Sequence, residues 1–211
     1  MSKLEEVAQA VETGKVKIIA GLTEEALAEG IEPLKILNEG MIAAMEVVGG
    51  KFQRSEIFVP EMLVAAKTMK KGVEVLKPRL VSDGTNTSLG KCVIGTIHGD
   101  LHDIGKNLVA LMIESAGFEL IDLGVDVPVA AFIDTIKANP DTKLVALSCL
   151  LTTTMPAMKE TAEAIKGSGL TGFKLIVGGA PVNKEFADQI GADGFSEDAA
   201  GAAILAKQMV S

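Results

Sequence analysis

From Lys91 onward the chain repeats one pattern: a short apolar run, a turn, an amphipathic stretch, and the next apolar run. The apolar runs fall at 91–98, 118–123, 143–148, 173–178 and 193–195, and helical patterns fall at 104–116, 128–139, 155–167, 183–190 and 197–209. Gly, Pro, Asn and Asp punctuate the joints. Short apolar strands that alternate with amphipathic helices need a parallel sheet covered on both faces. Right-handed crossovers then give a five-stranded, doubly wound α/β domain of the flavodoxin-like, Rossmann-like kind. The expected strand order is 2-1-3-4-5, in which the loops after strands one and three flank the topological switch point. His102 lies on the first of those loops and Ser148 on the second.

The first part of the chain has a different period. From Ser2 to about Ser82 apolar residues recur at helical spacing, beginning with Leu4, Val7, Ala8 and Val11. Pro33 is placed to open a helix, with Leu37, Met41, Met45 and Val48 on its stripe and Gly49-Gly50 loosening its end. Pro60 opens another, which carries Leu63, Ala66, Met69, Val73 and Leu76 inward and closes near Pro78. About four helices result, enough for a small bundle. The expected organisation is a helical-bundle cap at 1–82, a linker and hinge at 83–90, and the α/β domain at 91–211.

Three loops at one end of the expected sheet carry the chemistry. After strand one stands Gly99-Asp100-Leu101-His102-Asp103-Ile104-Gly105-Lys106-Asn107, which holds one of the two histidines. Asp100 can accept the proton of one ring nitrogen of His102 and leave the other free as a metal ligand. After strand three, Ser148-Cys149-Leu150-Leu151-Thr152-Thr153-Thr154 puts four hydroxyls beside large apolar groups. Thr154, just before Met155-Pro156, suits a helix N-cap. After strand four, Gly178-Gly179 lets the backbone approach something closely. No GxGxxG follows the first strand and no GxxxxGK[ST] occurs, so nicotinamide and nucleoside-triphosphate sites lack support.

Composition excludes other classes. A net charge of −8, with no Trp and no Tyr, disfavours nucleic acid and anionic membrane as partners. No apolar stretch approaches the roughly 20 residues of a transmembrane helix, and the N-terminus shows no signal-peptide core. Cytoplasmic residence is the expectation. Cys92 and Cys149 sit in apolar strands and read as buried thiols rather than a disulfide.

Taken together, Asp-x-His-x-x-Gly after strand one (Asp100, His102, Gly105), Ser-x-Leu after strand three (Ser148, Leu150) and Gly178-Gly179 after strand four resemble the cobalamin-binding proteins. In that family a histidine replaces the nucleotide base below cobalt. A helical bundle ahead of the domain marks the branch that comprises the methylotrophic corrinoid proteins and the cobalamin module of methionine synthase. The resemblance implies a corrinoid bound base-off, with His102 as the metal ligand and Asp100 and Thr154 completing a relay. Methionine synthase has serine where Thr154 stands. The resemblance also implies that Asp103, Ile104 and Gly105 approach the corrinoid, and that Ser148, Leu150, Thr152, Gly178 and Gly179 line the slot for its nucleotide tail. Phe52, Val59 and Met62 would meet the methyl group, although on periodicity alone the three serve equally well as bundle core. His98 has no role in the family pattern and reads as a strand-end residue.

The implied function is carriage of a methyl group on cobalt, with methylcobalamin as the loaded state. A substrate-specific methyltransferase would load the carrier, and an acceptor methyltransferase using tetrahydrofolate or a thiol would unload it. A reductive activase is implied as a third partner. The rival functions are a cobalamin-dependent sensor or regulator, the corrinoid subunit of a mutase, and a flavodoxin- or receiver-like binding module without corrinoid. The sequence does not choose the methyl donor.

Overall fold

Ser2 starts the first helix through a reciprocal cap: its hydroxyl accepts the Glu5 N–H at 3.2 Å, and the Glu5 carboxylate accepts the Ser2 N–H at 2.7 Å. The computed structural model describes residues 2–82 and 88–210, which divide into an N-terminal helical unit and a C-terminal α/β unit. Residues 83–87 of the expected linker lie outside the described residues.

The helical unit comprises α1 (Lys3–Glu12), α2 (Ile19–Ala28), α3 (Pro33–Lys35), α4 (Ala43–Gln53) and α5 (Val59–Ser82). A π-helical turn at Ile36–Ile42 joins α3 to α4, so residues 33–53 form one helical run and the unit has four helical arms. Val7, Ile19, Ile36, Met41, Met62 and Leu76 are fully buried between them. A side chain of this size contributes about 1.5–3 kcal/mol when it leaves water.

Two expected helix ends move. Helix α4 passes through Gly49-Gly50 to Gln53, because Val48 and Gly49 are buried and tertiary packing outweighs the weak propensity of glycine. Helix α5 passes through Pro78 to Ser82 rather than closing there. Met69, Leu76 and Leu80 form a buried stripe at spacings of seven and four, which sustains the helix beyond the proline.

The α/β unit contains β1 (Lys91–Thr96), α6 (Ile104–Ser115), β2 (Glu119–Asp122), α7 (Val129–Ala138), β3 (Thr142–Ser148), α8 (Met155–Gly167), β4 (Lys174–Gly178), α9 (Lys184–Gln189), β5 (Gly194–Phe195) and α10 (Ala199–Val210). The pairings between the strands are parallel, as the alternation requires, and the order is the expected β2-β1-β3-β4-β5. Val93 pairs with Val145 in the sheet centre, and Phe132 and Ile165 from α7 and α8 pack in the same core cluster. Thr96 pairs with Ser148 at the last step of β1 and β3, so the loops after these strands leave the sheet side by side.

Among the described residues no helix is long and apolar enough to cross a membrane. Cys92 and Cys149 are buried free thiols.

Candidate functional site

The loop after β1 is built around one buried carboxylate. Asp100 has no exposed surface. Its Oδ1 accepts the His102 backbone N–H at 3.0 Å and lies 3.0 Å from His102 Nδ1. Its Oδ2 accepts the Leu150 N–H at 2.7 Å and the Thr154 hydroxyl at 2.9 Å. One residue thus joins the loop after β1 to the loop after β3. Burial alone would raise its carboxyl pKa. The bonds from the Leu150 and His102 N–H groups, the His102 ring and Thr154 outweigh burial and hold the value at about 2. Asp100 is therefore ionised, and Nδ1 is the nitrogen of His102 that carries the proton toward it. The lone pair is left on Nε2.

His102 is the exposed end of this arrangement. Its side chain is 51% accessible, and its backbone carbonyl is held by the buried Thr96 hydroxyl at 2.9 Å. On its own loop stand Leu101 at 73% and Ile104 at 84% exposure, and the loop tied to it presents Leu150 and Leu151. Large apolar side chains on adjoining loops around an exposed imidazole mark a binding face rather than a solvated turn. Among the described residues no group of three or more His, Cys, Asp or Glu is placed to hold a metal ion. One imidazole on an apolar face suits a metal that brings its other ligands within a macrocycle.

Gly105 opens the same face. A Cβ built there meets no protein atom within 4 Å, although glycine is a poor residue for a helix. Gly105→Ala is expected to stabilise the ligand-free protein by about 0.5 kcal/mol in urea denaturation. If the bare backbone serves a bound corrin, the same change should weaken cobalamin uptake, followed by absorption. Undiminished uptake would leave Gly105 without a ligand role.

The other expected residues are distributed as follows. Asp103 starts α6 by accepting the Asn107 N–H at 2.7 Å, and its carboxylate takes the Asn107 amide at 3.1 Å. Ser148 is half-buried at the end of β3, and Thr152 is exposed at the start of a 3-10 turn, Thr152–Thr154. Thr154 occupies the N-cap position of α8 but makes no capping bond. Its hydroxyl is drawn to the charged Asp100 acceptor, and Pro156 in the first turn removes one N–H that a cap would serve. Gly178 is half-buried and Gly179 exposed at the end of β4. Cys149, between these loops, is a thiol whose pKa is pushed up to about 11 by burial and by the Asp100 charge. In the helical unit Met62 is fully buried, Phe52 is half-buried and Val59 is exposed.

Sequence reasoning missed two supports of the loop. Lys106 is buried at the start of α6, and its Nζ contacts Asp122 Oδ2 at 2.5 Å and Asn107 Oδ1 at 2.7 Å. Asp126, after β2, binds both Gly99 and His98. His98 is thus an exposed partner of Asp126 rather than a simple strand end. The available signal was the turn-forming stretch Gly124-Val125-Asp126-Val127-Pro128, which identifies no tertiary partner.

Comparison with known proteins identifies the family of both units. The family described as B12 binding domain matches residues 90–204, and a second B12 binding domain family matches residues 3–77. The chain is 40% identical over 210 residues to dimethylamine corrinoid protein 1 of Methanosarcina acetivorans, covering 99% of this chain and 97% of that one. It is 45% identical over 181 residues to trimethylamine corrinoid protein 2 of the same organism, covering 84% and 82%. The crystal structure of the methanol:cobalamin methyltransferase complex MtaBC from Methanosarcina barkeri is similar with a TM-score of 0.85 at 28% identity, covering 99% of this chain and 79% of that chain.

Proposed function

This chain belongs to the B12-binding corrinoid proteins of methyltransferase systems and carries methyl groups, and on that premise we propose that His102 holds its corrinoid from below. The observation that carries this reading is the half-exposed imidazole, oriented by a buried, ionised Asp100, on a loop that, with the loop tied to it, presents exposed apolar side chains. When bound, the corrinoid supplies a cobalt centre able to accept and release a methyl group.

The chain's own residues do the rest. Asp100 keeps the His102 proton on Nδ1 and Nε2 open as a donor, and this orientation raises ligand basicity. Thr154 helps hold the carboxylate. Leu101, Ile104, Leu150 and Leu151 exclude water from the ring's surroundings. Asp103, Ile104 and Gly105 lie against the corrin. Ser148, Leu150, Thr152, Gly178 and Gly179 line the slot for the displaced nucleotide tail. In the helical unit, Phe52 and Val59 are the residues proposed to meet the methyl group, whereas Met62 has no exposed surface and serves the bundle core. Residues 1–82 act as the cap domain and 91–211 as the corrinoid domain.

The donor class follows from the nearer names. Relatives at 40% and 45% identity are dimethylamine and trimethylamine corrinoid proteins, whereas the methanol complex shares 28%. A methylated amine is therefore the proposed source, delivered by a substrate-specific methyltransferase. An acceptor methyltransferase using tetrahydrofolate or a thiol unloads the carrier, and a reductive activase restores it.

His102→Ala tests the centre of this reading. The variant is expected to take up corrinoid but to lose the axial-nitrogen splitting from the cobalt(II) electron paramagnetic resonance spectrum. An unchanged nitrogen pattern would remove His102 from the metal.

A further inference from the structure

One residue outside the His102 loop is bonded to three consecutive positions at its start. Asp126, between β2 and α7, has a left-handed backbone with φ of 53°. Its Oδ1 accepts the Gly99 N–H at 2.7 Å and lies 2.7 Å from Nδ1 of His98. Its own N–H donates to the Asp100 carbonyl at 2.9 Å. The backbone on both sides is tied as well: the Thr96 N–H donates to the Gly124 carbonyl, and the Val127 N–H to the Thr96 carbonyl, each at 3.0 Å.

Gly99 is the weak point that these bonds secure. It has φ of 82°, a region only glycine enters freely, and glycine has more alternative conformations than any other residue. Rotation there would carry Asp100 away from the Leu150 N–H and from the His102 ring. Turn geometry alone does not demand aspartate at 126, since glycine and asparagine suit the same backbone. A turn glycine would lack the oxygen that takes the Gly99 N–H.

We infer that Asp126 is a positioning residue for His102: by clamping residues 98–100 it holds the Asp100 carboxylate where it fixes the histidine's tautomer and direction. The consequence for the metal rests on the reading of His102 as its ligand. The consequence for the imidazole does not.

Two variants test it. Asp126→Gly removes the acceptor but accepts the left-handed backbone, and Asp126→Asn keeps both an acceptor oxygen and the turn. The first readout is the nitrogen-15 shift of the His102 imidazole in corrinoid-free protein. The second is the fraction of cobalt(II) centres with axial-nitrogen splitting after loading. Asp126→Gly is expected to remain folded, shift His102 away from the Nδ1–H tautomer, and lower the axial-nitrogen fraction by about threefold or more. Asp126→Asn is expected to stay close to wild type in both. Wild-type behaviour of Asp126→Gly in the first readout would overturn the inference, as would Asp126→Asn behaving like Asp126→Gly. If wild type itself lacked axial nitrogen, the ligand reading of His102 would fall, while the tautomer comparison would still decide the role of Asp126.

Discussion

Asp100→Asn is expected to lower the unfolding free energy of the corrinoid-free protein by about 2–4 kcal/mol at pH 7, measured by urea denaturation. The substitution preserves shape and replaces one acceptor oxygen with an amide that only donates. If the amide takes the place of Oδ2, it faces the Leu150 N–H, 2.7 Å from that oxygen, and a backbone donor loses its partner. If it takes the place of Oδ1, it faces the His102 N–H and ring, each 3.0 Å away. The imidazole can answer only by moving its proton to Nε2, which closes the lone pair that a metal would need. An orphaned buried donor costs about 1–3 kcal/mol, and loss of the charge-assisted bonds adds to it. The pH dependence has a defined sign. The wild-type carboxyl sits at about 2 against an ordinary 3.8, so its contribution is fully present above the ordinary value. That contribution, about 2 kcal/mol, disappears as pH falls through 3.8 toward 2. The gap between wild type and variant should therefore narrow across that interval. Equal denaturation midpoints at pH 7 would contradict the cradle of donors around Asp100.

How much of this was readable in advance depended on the range of the interaction. Local alternation and crossover handedness call for a parallel, doubly wound sheet; of the two common strand orders that satisfy them, the structure has the expected 2-1-3-4-5. Asp100 and His102 are two residues apart, so their pairing could be anticipated from the loop alone. Thr154 was correctly associated with Asp100, yet its second expected role failed. The Thr154 hydroxyl is oriented toward Asp100 and accepts no N–H from the first turn of α8, where Pro156 has none to offer. Asp126 and the Lys106–Asp122 pair stayed hidden because each depends on which loop comes to lie against β1, a tertiary fact without local pattern. Helices α4 and α5 run past Gly49-Gly50 and Pro78 for the same kind of reason: burial of Val48 and Leu80 decides, and propensity yields. The π-helical turn at Ile36–Ile42 likewise has no signature in a periodicity built on 3.6 residues.

Gly179→Ala is expected to destabilise the α/β unit by about 3 kcal/mol or more, enough to abolish soluble folded protein or to lower its melting temperature steeply. Gly179 has φ of 131°, and a Cβ there would stand 1.7 Å from the Cys149 carbonyl oxygen and 2.8 Å from its carbon. Neither is the end of a flexible side chain. The β3 exit must move, and it is tied at this point by the Cys149 N–H bond to the Gly178 carbonyl at 3.2 Å. Glycine at 179 is thus required by the protein's own backbone before any ligand is considered. Gly178 is different: its Cβ would meet only the Ser196 carbonyl oxygen, at 3.3 Å. Gly178→Ala is accordingly expected to cost less than about 1 kcal/mol. The two glycines look equivalent as a sequence pair, yet only the first can report on the nucleotide slot. Gly178→Leu should reduce cobalamin uptake about tenfold or more by filling that slot, with Gly178→Ala showing that the position tolerates a side chain. Normal uptake by Gly178→Leu would put the tail elsewhere. Failure of Gly179→Ala to bind would say nothing about the tail, because the close approach to Cys149 already forbids that side chain.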